Sequence, residues 1–364
     1  MRASTGEHYL ALDQVRALAA FLVFAWHFLH GRDGSPVPFA GAPAVWPLAV
    51  LDEGHTGVAL FMTLSGYLFA KLLQGRRLRV LPFLANRALR LLPLLVTVIV
   101  LVGIGRAWRG EGIHDYAVSI LQGLLYPTWP NGGWSITVEF HFYLLLPFLL
   151  ALAARRPLLL LLPVVAALLL RAWLHQHDGE VQSWAYWTMI GRIDQFCAGM
   201  LLAHRPQWMR GRHARALIVA LVFSAAYAAF DAAGGWYGMP AYPSPSPVWI
   251  VLPTLEALAY ALLIAWYDTS FQPRGTGFSG YLARLGEYSY SIYLLHFFVV
   301  FELARGVHTR VMDLSNFYLA CMWAVPAFLF TAALSGLSYR WLESPFLRLR
   351  RPYAGPRVAE PGAA

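Results

Sequence analysis

Ten stretches of this chain are long and apolar enough to cross a bilayer, and they follow one another with short polar loops between them. A transmembrane helix needs about 20 consecutive apolar residues, and lipid leaves no water to satisfy an open backbone, so such segments must be helical. The spans read as roughly 10–30, 54–73, 83–105, 134–153, 157–174, 184–204, 215–231, 248–267, 285–304 and 316–343. The predicted fold class is therefore all-α, a polytopic membrane helical bundle of about ten transmembrane helices. The segment 116–126 is apolar but short, and is read as re-entrant or interfacial, with an eleventh span as the alternative. Only 13% of residues are Asp, Glu, Lys or Arg, about half the share of a soluble domain. That excludes a water-soluble globule, and the apolar content excludes intrinsic disorder. One domain over 8–347 is expected, followed by a short basic tail at 348–364 read as disordered.

The formal charge of +9 comes almost wholly from arginine. In a soluble chain it would suggest nucleic acid; here it reads as topological signalling, and no nucleic-acid partner is expected. With the N-terminus inside, the inner loops and tail hold 16 arginines and the outer loops 5. Both termini are therefore expected in the cytoplasm. The first span is not a cleavable signal, because Arg16 lies inside it and a polar loop follows it. Cys197 and Cys321 sit in apolar runs and read as free buried thiols.

Ionisable residues inside a span are costly, and mark candidate sites unless they only fix helix packing. Arg16 and His27 lie eleven residues apart on one face of the first span, separated by roughly 16 Å of depth. A cation at one end of a stripe and an imidazole at the other suits a channel that holds an anion inside and does chemistry further out. Histidine is the natural general base near neutral pH. Arg87 and Arg90, at i and i+3, could grip phosphate with forked guanidiniums. In the fourth span Ser135, Glu139 and Tyr143 share a face, with Trp134 at its start. Glu139 lies at about the depth of His27 and could orient its imidazole, while His141 points elsewhere. Arg192 and Asp194 are about 200° apart around their helix, so each should find another partner. Glu256 lies alone in its span. Ser289, Tyr293 and His296 cluster in the ninth span beside Ser291, and Tyr339 and Glu343 stand at i and i+4 in the last. No metal-ligand spacing, phosphate-binding glycine loop or serine nucleophile elbow is present. Ser65 sits within a span, where close backbone packing explains Gly66 equally well.

These pieces, in this order, resemble the membrane acyltransferase family 3. The resemblance rests on Leu12–Ala20 with His27, Gly57–Phe61 with Leu64–Tyr67, and Arg87–Pro93. It continues through Trp134-Ser135 with Glu139, Phe142 and Tyr143, then Gly191–Phe196 with Gly199, Tyr288–His296 and Tyr339–Phe346. The chain departs from the usual family pattern at Gln14, Ala17, Asn86 and Phe140-His141. The resemblance implies a stand-alone form without a C-terminal hydrolase-like domain. It implies a bacterial inner-membrane enzyme that moves an acyl group, usually acetyl, from cytoplasmic acyl-CoA to an acceptor hydroxyl near the outer leaflet. No bound cofactor or metal is implied, and acetyl-CoA is a donor substrate. The expected acceptor is a surface glycan, exopolysaccharide, O-antigen or lipid-linked precursor; a macrolide or lipid acceptor and a succinyl donor stay open. Membrane lipid and the polysaccharide-assembly machinery are expected partners. On this reading His27 and Glu139 are catalytic and Arg16, Arg87 and Arg90 bind the donor. Trp134, Ser135, Tyr143, Arg192, Asp194, Ser291 and His296 form a supporting polar network. Whether His27 deprotonates the acceptor or carries the acyl group is open, and a transporter or flippase is the competing reading.

Overall fold

The computed structural model describes residues 9–30, 43–238 and 240–357. The N-terminal residues with Arg2, the loop with Arg32 and the last seven residues lie outside the described residues. Helices dominate: α1 (Leu10–Leu29), α2 (Gly57–Leu73), α3 (Val80–Trp108), α4 (Ile113–Gln122), α5 (Trp134–Arg155), α6 (Leu161–Asp178) and α7 (Gln182–Trp187). They continue with α8 (Met189–Ala203), α9 (His213–Ala232), α10 (Val248–Ser270), α11 (Gly277–Glu287), α12 (Ser289–Leu295), α13 (Val300–Arg310) and α14 (Phe317–Ser338). Among the described residues eight helices are long and apolar enough to cross a membrane, and a ninth crossing follows if the pair around α12 and α13, bent by 55°, is one span.

The expected span 184–204 is built differently. Thr188 breaks it, capping α8 by accepting from the Ile190 amide at 3.2 Å. At 15 residues α8 is short for a bilayer, but every residue from Gly191 to Met200 is buried. Protein and not lipid surrounds that stretch, so it need not match lipid thickness. Close approach makes this possible. A methyl group on Gly66 would strike the Phe196 backbone, and one on Gly199 would strike the Thr63 carbonyl and the Tyr67 amide. Small residues let α2 and α8 bring their backbones together, the usual means of packing helices in membranes. Gly66 is therefore a packing residue, as its position inside a span suggested. Around this buried centre, α3, α6, α9 and α14 expose apolar side chains such as Val100, Leu162, Val222 and Leu337, as lipid-facing helices should.

The segment 116–126 falls on α4, ten residues with no buried side chain. At 1.5 Å per residue it is too short to cross, so it is a peripheral helix. It is tied to α3 by the Tyr116 hydroxyl, which donates to the Ile99 carbonyl at 2.7 Å. His141 faces this segment: its ring nitrogen meets the Leu124 carbonyl at 2.9 Å. The tail differs from expectation over its described part. Ala354–Arg357 (β2) pairs antiparallel with Arg76–Leu78 (β1). Tyr353 is buried, and its carbonyl accepts from the Arg79 amide at 2.8 Å. The expectation of a disordered tail is thus corrected for 348–357: an aromatic anchor and strand hydrogen bonds offset the loss of chain freedom. Both cysteines are free; Cys197 is buried and Cys321 half-buried.

Candidate functional site

Two cavities open from opposite ends of the bundle. One is at the end where α1 begins, and Asp13 and Arg16 of α1, Arg87 and Arg90 of α3, and Arg350 line it. Deeper in, it is lined by Ser65 of α2, Ser135 and Glu139 of α5, and Tyr293 of α12. Helical spacing explains the grouping: Ser135, Glu139 and Tyr143 recur every four residues, and all three reach this cavity. Four guanidiniums against the two lining carboxylates, Asp13 and Glu139, leave the cavity electropositive, even with Glu343 near it. Arg16 donates to Asp13 at 2.5 Å, and Glu343 lies within electrostatic reach of Arg90. Arg87 is caged by aromatic faces, 5.2 Å from the Phe69 ring centre, 5.5 Å from Phe83 and 5.8 Å from Tyr353. Its buried Nε has no hydrogen-bond partner among the described residues. A buried guanidinium nitrogen without an acceptor is costly, and an anionic ligand in the cavity would supply one.

The second cavity opens at the other end and holds His27. Its wall is aromatic, with Trp26, Trp129, Trp134, Trp187 and Trp236 among its residues, and its rim carries Arg106, Arg109 and Glu111. His27 Nδ1 lies 2.8 Å from the Val23 carbonyl, which can only accept, so Nδ1 carries the proton. His296 Nδ1 likewise donates to the Ile292 carbonyl at 3.1 Å, leaving His296 Nε2 as a lone pair 3.3 Å from His27 Nδ1. His27 Nδ1–H is thus shared between two acceptors, and Nε2 of His27 is its basic atom. His296 reaches this position because the ninth span breaks there: α12 ends at Leu295 and a 3-10 turn, His296–Phe298, swings the ring under His27.

Glu139 is not beside His27, which corrects the pairing expected from depth alone. Glu139 accepts from the Ser65 hydroxyl at 3.4 Å and faces the arginine cavity. His27 faces His296, Phe297 and the tryptophan cavity. Equal depth does not set the direction around a helix, and α5 turns its polar face toward α2. What stands between the cavities is thin. Val58 and Tyr293 line both. The Tyr293 hydroxyl donates to the Gly132 carbonyl at 3.1 Å, and the Ser135 hydroxyl donates to the same oxygen at 3.1 Å. Gly132 holds φ at +74°, a left-handed turn that glycine adopts freely.

The remaining predicted residues form a buried framework. Asp194 pairs with Arg171 at 2.7 Å, both fully buried, and with the Thr254 hydroxyl. Arg171 was not singled out in the sequence, because it lies near the end of a span, where an arginine ordinarily reads as an interfacial anchor; the fold buries it instead. Arg192 reaches Gln195 at 3.3 Å and Glu256 at 3.7 Å, and stacks 4.3 Å from the Tyr186 ring centre and 5.6 Å from Trp134. Arg192 and Asp194 therefore do take separate partners. Glu256 is not alone: it accepts from Thr56, just before α2, at 2.7 Å, Tyr227 at 2.6 Å and Gln195 at 3.0 Å, tying the start of α2, α9 and α8 to α10. Ser291 donates to Glu343, which closes a π-helical turn, Tyr339–Glu343. Beneath the tryptophan cavity lies a cluster that sequence reasoning did not assemble. It comprises the His30–Asp52 pair at 2.7 Å, the His55–Glu53 pair at 3.0 Å, and Asp231. Burial pushes the Glu53 carboxyl up to about 7.

Residues 9–340 match the family model described as an acyltransferase domain. Among its relatives, the chain is 29% identical over 311 residues to a protein named as the membrane-bound transacylase BcsY of Komagataeibacter xylinus, covering 78% of this chain and 71% of that one. It is 26% identical to the exopolysaccharide production protein ExoZ of Rhizobium meliloti (82% and 91% covered) and 24% identical to the acyltransferase MdmB of Streptomyces mycarofaciens (94% of each). No solved structure matches.

Proposed function

The chain belongs to this acyltransferase family, and on that premise we propose that it transfers an acetyl group from cytoplasmic acetyl-CoA to a hydroxyl of a surface glycan or its lipid-linked precursor. The observation that carries the proposal is the pair of cavities entering from opposite ends and parted by Tyr293. One suits a phosphorylated donor; the other suits a hydroxyl-bearing acceptor with a fixed base. Arg16, Arg87 and Arg90 would hold the donor's phosphates. Its thioester arm would run past Ser65 and Glu139 toward the partition. At the other face His27 Nε2 would take the proton of the acceptor hydroxyl as its oxygen attacks the thioester carbonyl. The carbon–sulfur bond then breaks, and the proton leaves with CoA as its thiol. Glu139, on the donor side, would act on the thioester end of the reaction and not on the imidazole. The tryptophan wall suits the apolar faces of sugar rings, and ExoZ, a relative, is named for exopolysaccharide production. The arginine asymmetry of the loops supports an inner-membrane protein with both termini in the cytoplasm, so the arginine cavity would meet the CoA pool.

The test uses cells lacking the protein, complemented with wild type, His27→Ala or Arg16→Ala at matched membrane levels. Mass spectra of the surface glycans should lose one acyl increment in both variants while the glycan backbone persists. Unchanged masses in all strains would remove the glycan from the proposal.

A further inference from the structure

The cavity that collects Arg16, Arg87 and Arg90 has a fourth guanidinium, and it comes from the tail. Arg350 lines the same cavity, ten residues beyond the end of the family match. Its Nε and Nη2 are buried and have no hydrogen-bond partner among the described residues. The backbone around it is held on both sides. Asn86 clasps Arg351 with two bonds, its Nδ2 donating to the Arg351 carbonyl at 2.6 Å and its Oδ1 accepting from the Arg351 amide at 3.0 Å. Two residues further on, Tyr353 packs edge-on to Phe83 at 5.3 Å between ring centres and closes the cage around Arg87. Pairing of β2 with β1 anchors the end of this strap.

This arrangement is expensive without a ligand. Burial first, and then the neighbouring Arg90 and Arg87, push Arg350 down to about 9. Two guanidiniums with unmet donors, Arg87 and Arg350, lie beside the charge of Arg90 and repel it and one another, and a multivalent anion would relieve both costs. We propose that Arg350, presented by the C-terminal strap, is a donor-binding residue that grips the phosphate groups of a nucleotide-bearing thioester, with Tyr353 holding the strap and Arg87 in register. The proposal rests on the acyl-CoA assignment above and adds a residue that the family's matched region does not contain.

The experiment uses the full chain in nanodiscs of neutral phosphatidylcholine, as wild type, Arg350→Ala, Arg350→Lys and Arg348→Ala. Arg348 is exposed and outside the cavity. Steady-state kinetics are compared for acetyl-CoA and for S-acetylpantetheine, which keeps a thioester arm but lacks the nucleotide phosphates. Arg350→Ala should raise KM for acetyl-CoA roughly 10- to 100-fold with kcat near wild type, and leave KM for S-acetylpantetheine unchanged. Arg350→Lys should recover part of the loss, because a point charge replaces a fork; Arg348→Ala should behave as wild type. An equal rise for both donors, or no rise for either, overturns the proposal. Free CoA added to the same proteins separates the two levels of inference by thermal shift. If wild type is not stabilised, the acyl-CoA assignment itself fails. If wild type and Arg350→Ala are stabilised equally, only the strap's role fails. Stabilisation by phosphatidylglycerol and not by CoA makes the site a lipid-headgroup site and overturns the proposal.

Discussion

Replacing His296 separates two readings of the histidine pair. His27 Nδ1–H has two acceptors, the Val23 carbonyl at 2.8 Å and His296 Nε2 at 3.3 Å. Removing His296 leaves the shorter bond, so His27 keeps its tautomer and Nε2 stays basic. What is lost is one long hydrogen bond, worth about 0.5–1.5 kcal/mol. At about 1.4 kcal/mol per decade of rate, His296→Ala should lower kcat about 2- to 12-fold. His27→Ala removes the proposed base and should cost roughly 10²- to 10⁴-fold. His296→Gln, whose amide oxygen can accept, should lie closer to wild type than His296→Ala. The assay is acyl transfer by purified protein in nanodiscs, normalised to the monodisperse fraction because His296 is buried against Phe24 and Phe297. A loss of several hundredfold in His296→Ala, equal to that of His27→Ala, would refute the reasoning. It would make His296 the working base and His27 its support.

Further outcomes follow from the framework and the partition. Arg171→Met or Asp194→Asn alone strands a fully buried partner and should cost about 3–5 kcal/mol; thermal melts should show the double variant Arg171→Met/Asp194→Leu losing less than the single variants' sum. Gly66→Ala drives a methyl into the Phe196 backbone and should destabilise by about 1–3 kcal/mol, seen as a lower melting temperature. Tyr293→Ala opens the wall between the cavities, so acceptor-independent hydrolysis of acyl-CoA should rise relative to transfer, read as free CoA released without glycan. Glu53, packed among His30, Asp52, His55 and Asp231, has its carboxyl raised from 4.5 to about 7 by burial. The fold therefore favours its neutral form: that stability is fully present below about 4.5 and is lost as pH rises through about 7. Melting temperature should fall between about pH 4.5 and pH 7, and Glu53→Gln should flatten the fall.

Hydropathy made most of the bundle legible, because lipid dictates both span length and helicity. All ten expected spans correspond to helical segments, although the sixth and ninth are broken, at Thr188 and at the 3-10 turn of His296–Phe298. Those breaks were invisible because neither carries a proline or glycine at the point of rupture. They are set by what packs beside them. Periodicity placed Ser135, Glu139 and Tyr143 on one face, and all three line one cavity, whereas Arg16 and His27, read as one stripe, open to different cavities. It could not give the direction of one helix face relative to another, and so it joined Glu139 to His27 when the bundle turns them to different cavities. The separate partners of Arg192 and Asp194 followed from their angle around the helix, whereas Arg171 and the hub at Glu256 required knowing which helices meet. The tail was misread for a related reason. Arg348, Arg350 and Arg351 look like a solvated basic run, and only the fold shows Tyr353 entering the aromatic group around Arg87.

The central claim is that the acyl group passes between the two cavities, from the arginine end to the histidine end. Sealed vesicles holding uniformly oriented protein test it directly, with labelled acetyl-CoA supplied only at the arginine end and glycan acceptor only at the histidine end. The mechanism predicts label on the enclosed glycan with wild type and none with His27→Ala. Label that never leaves the donor's side, or that reaches the glycan equally well in His27→Ala, would contradict it.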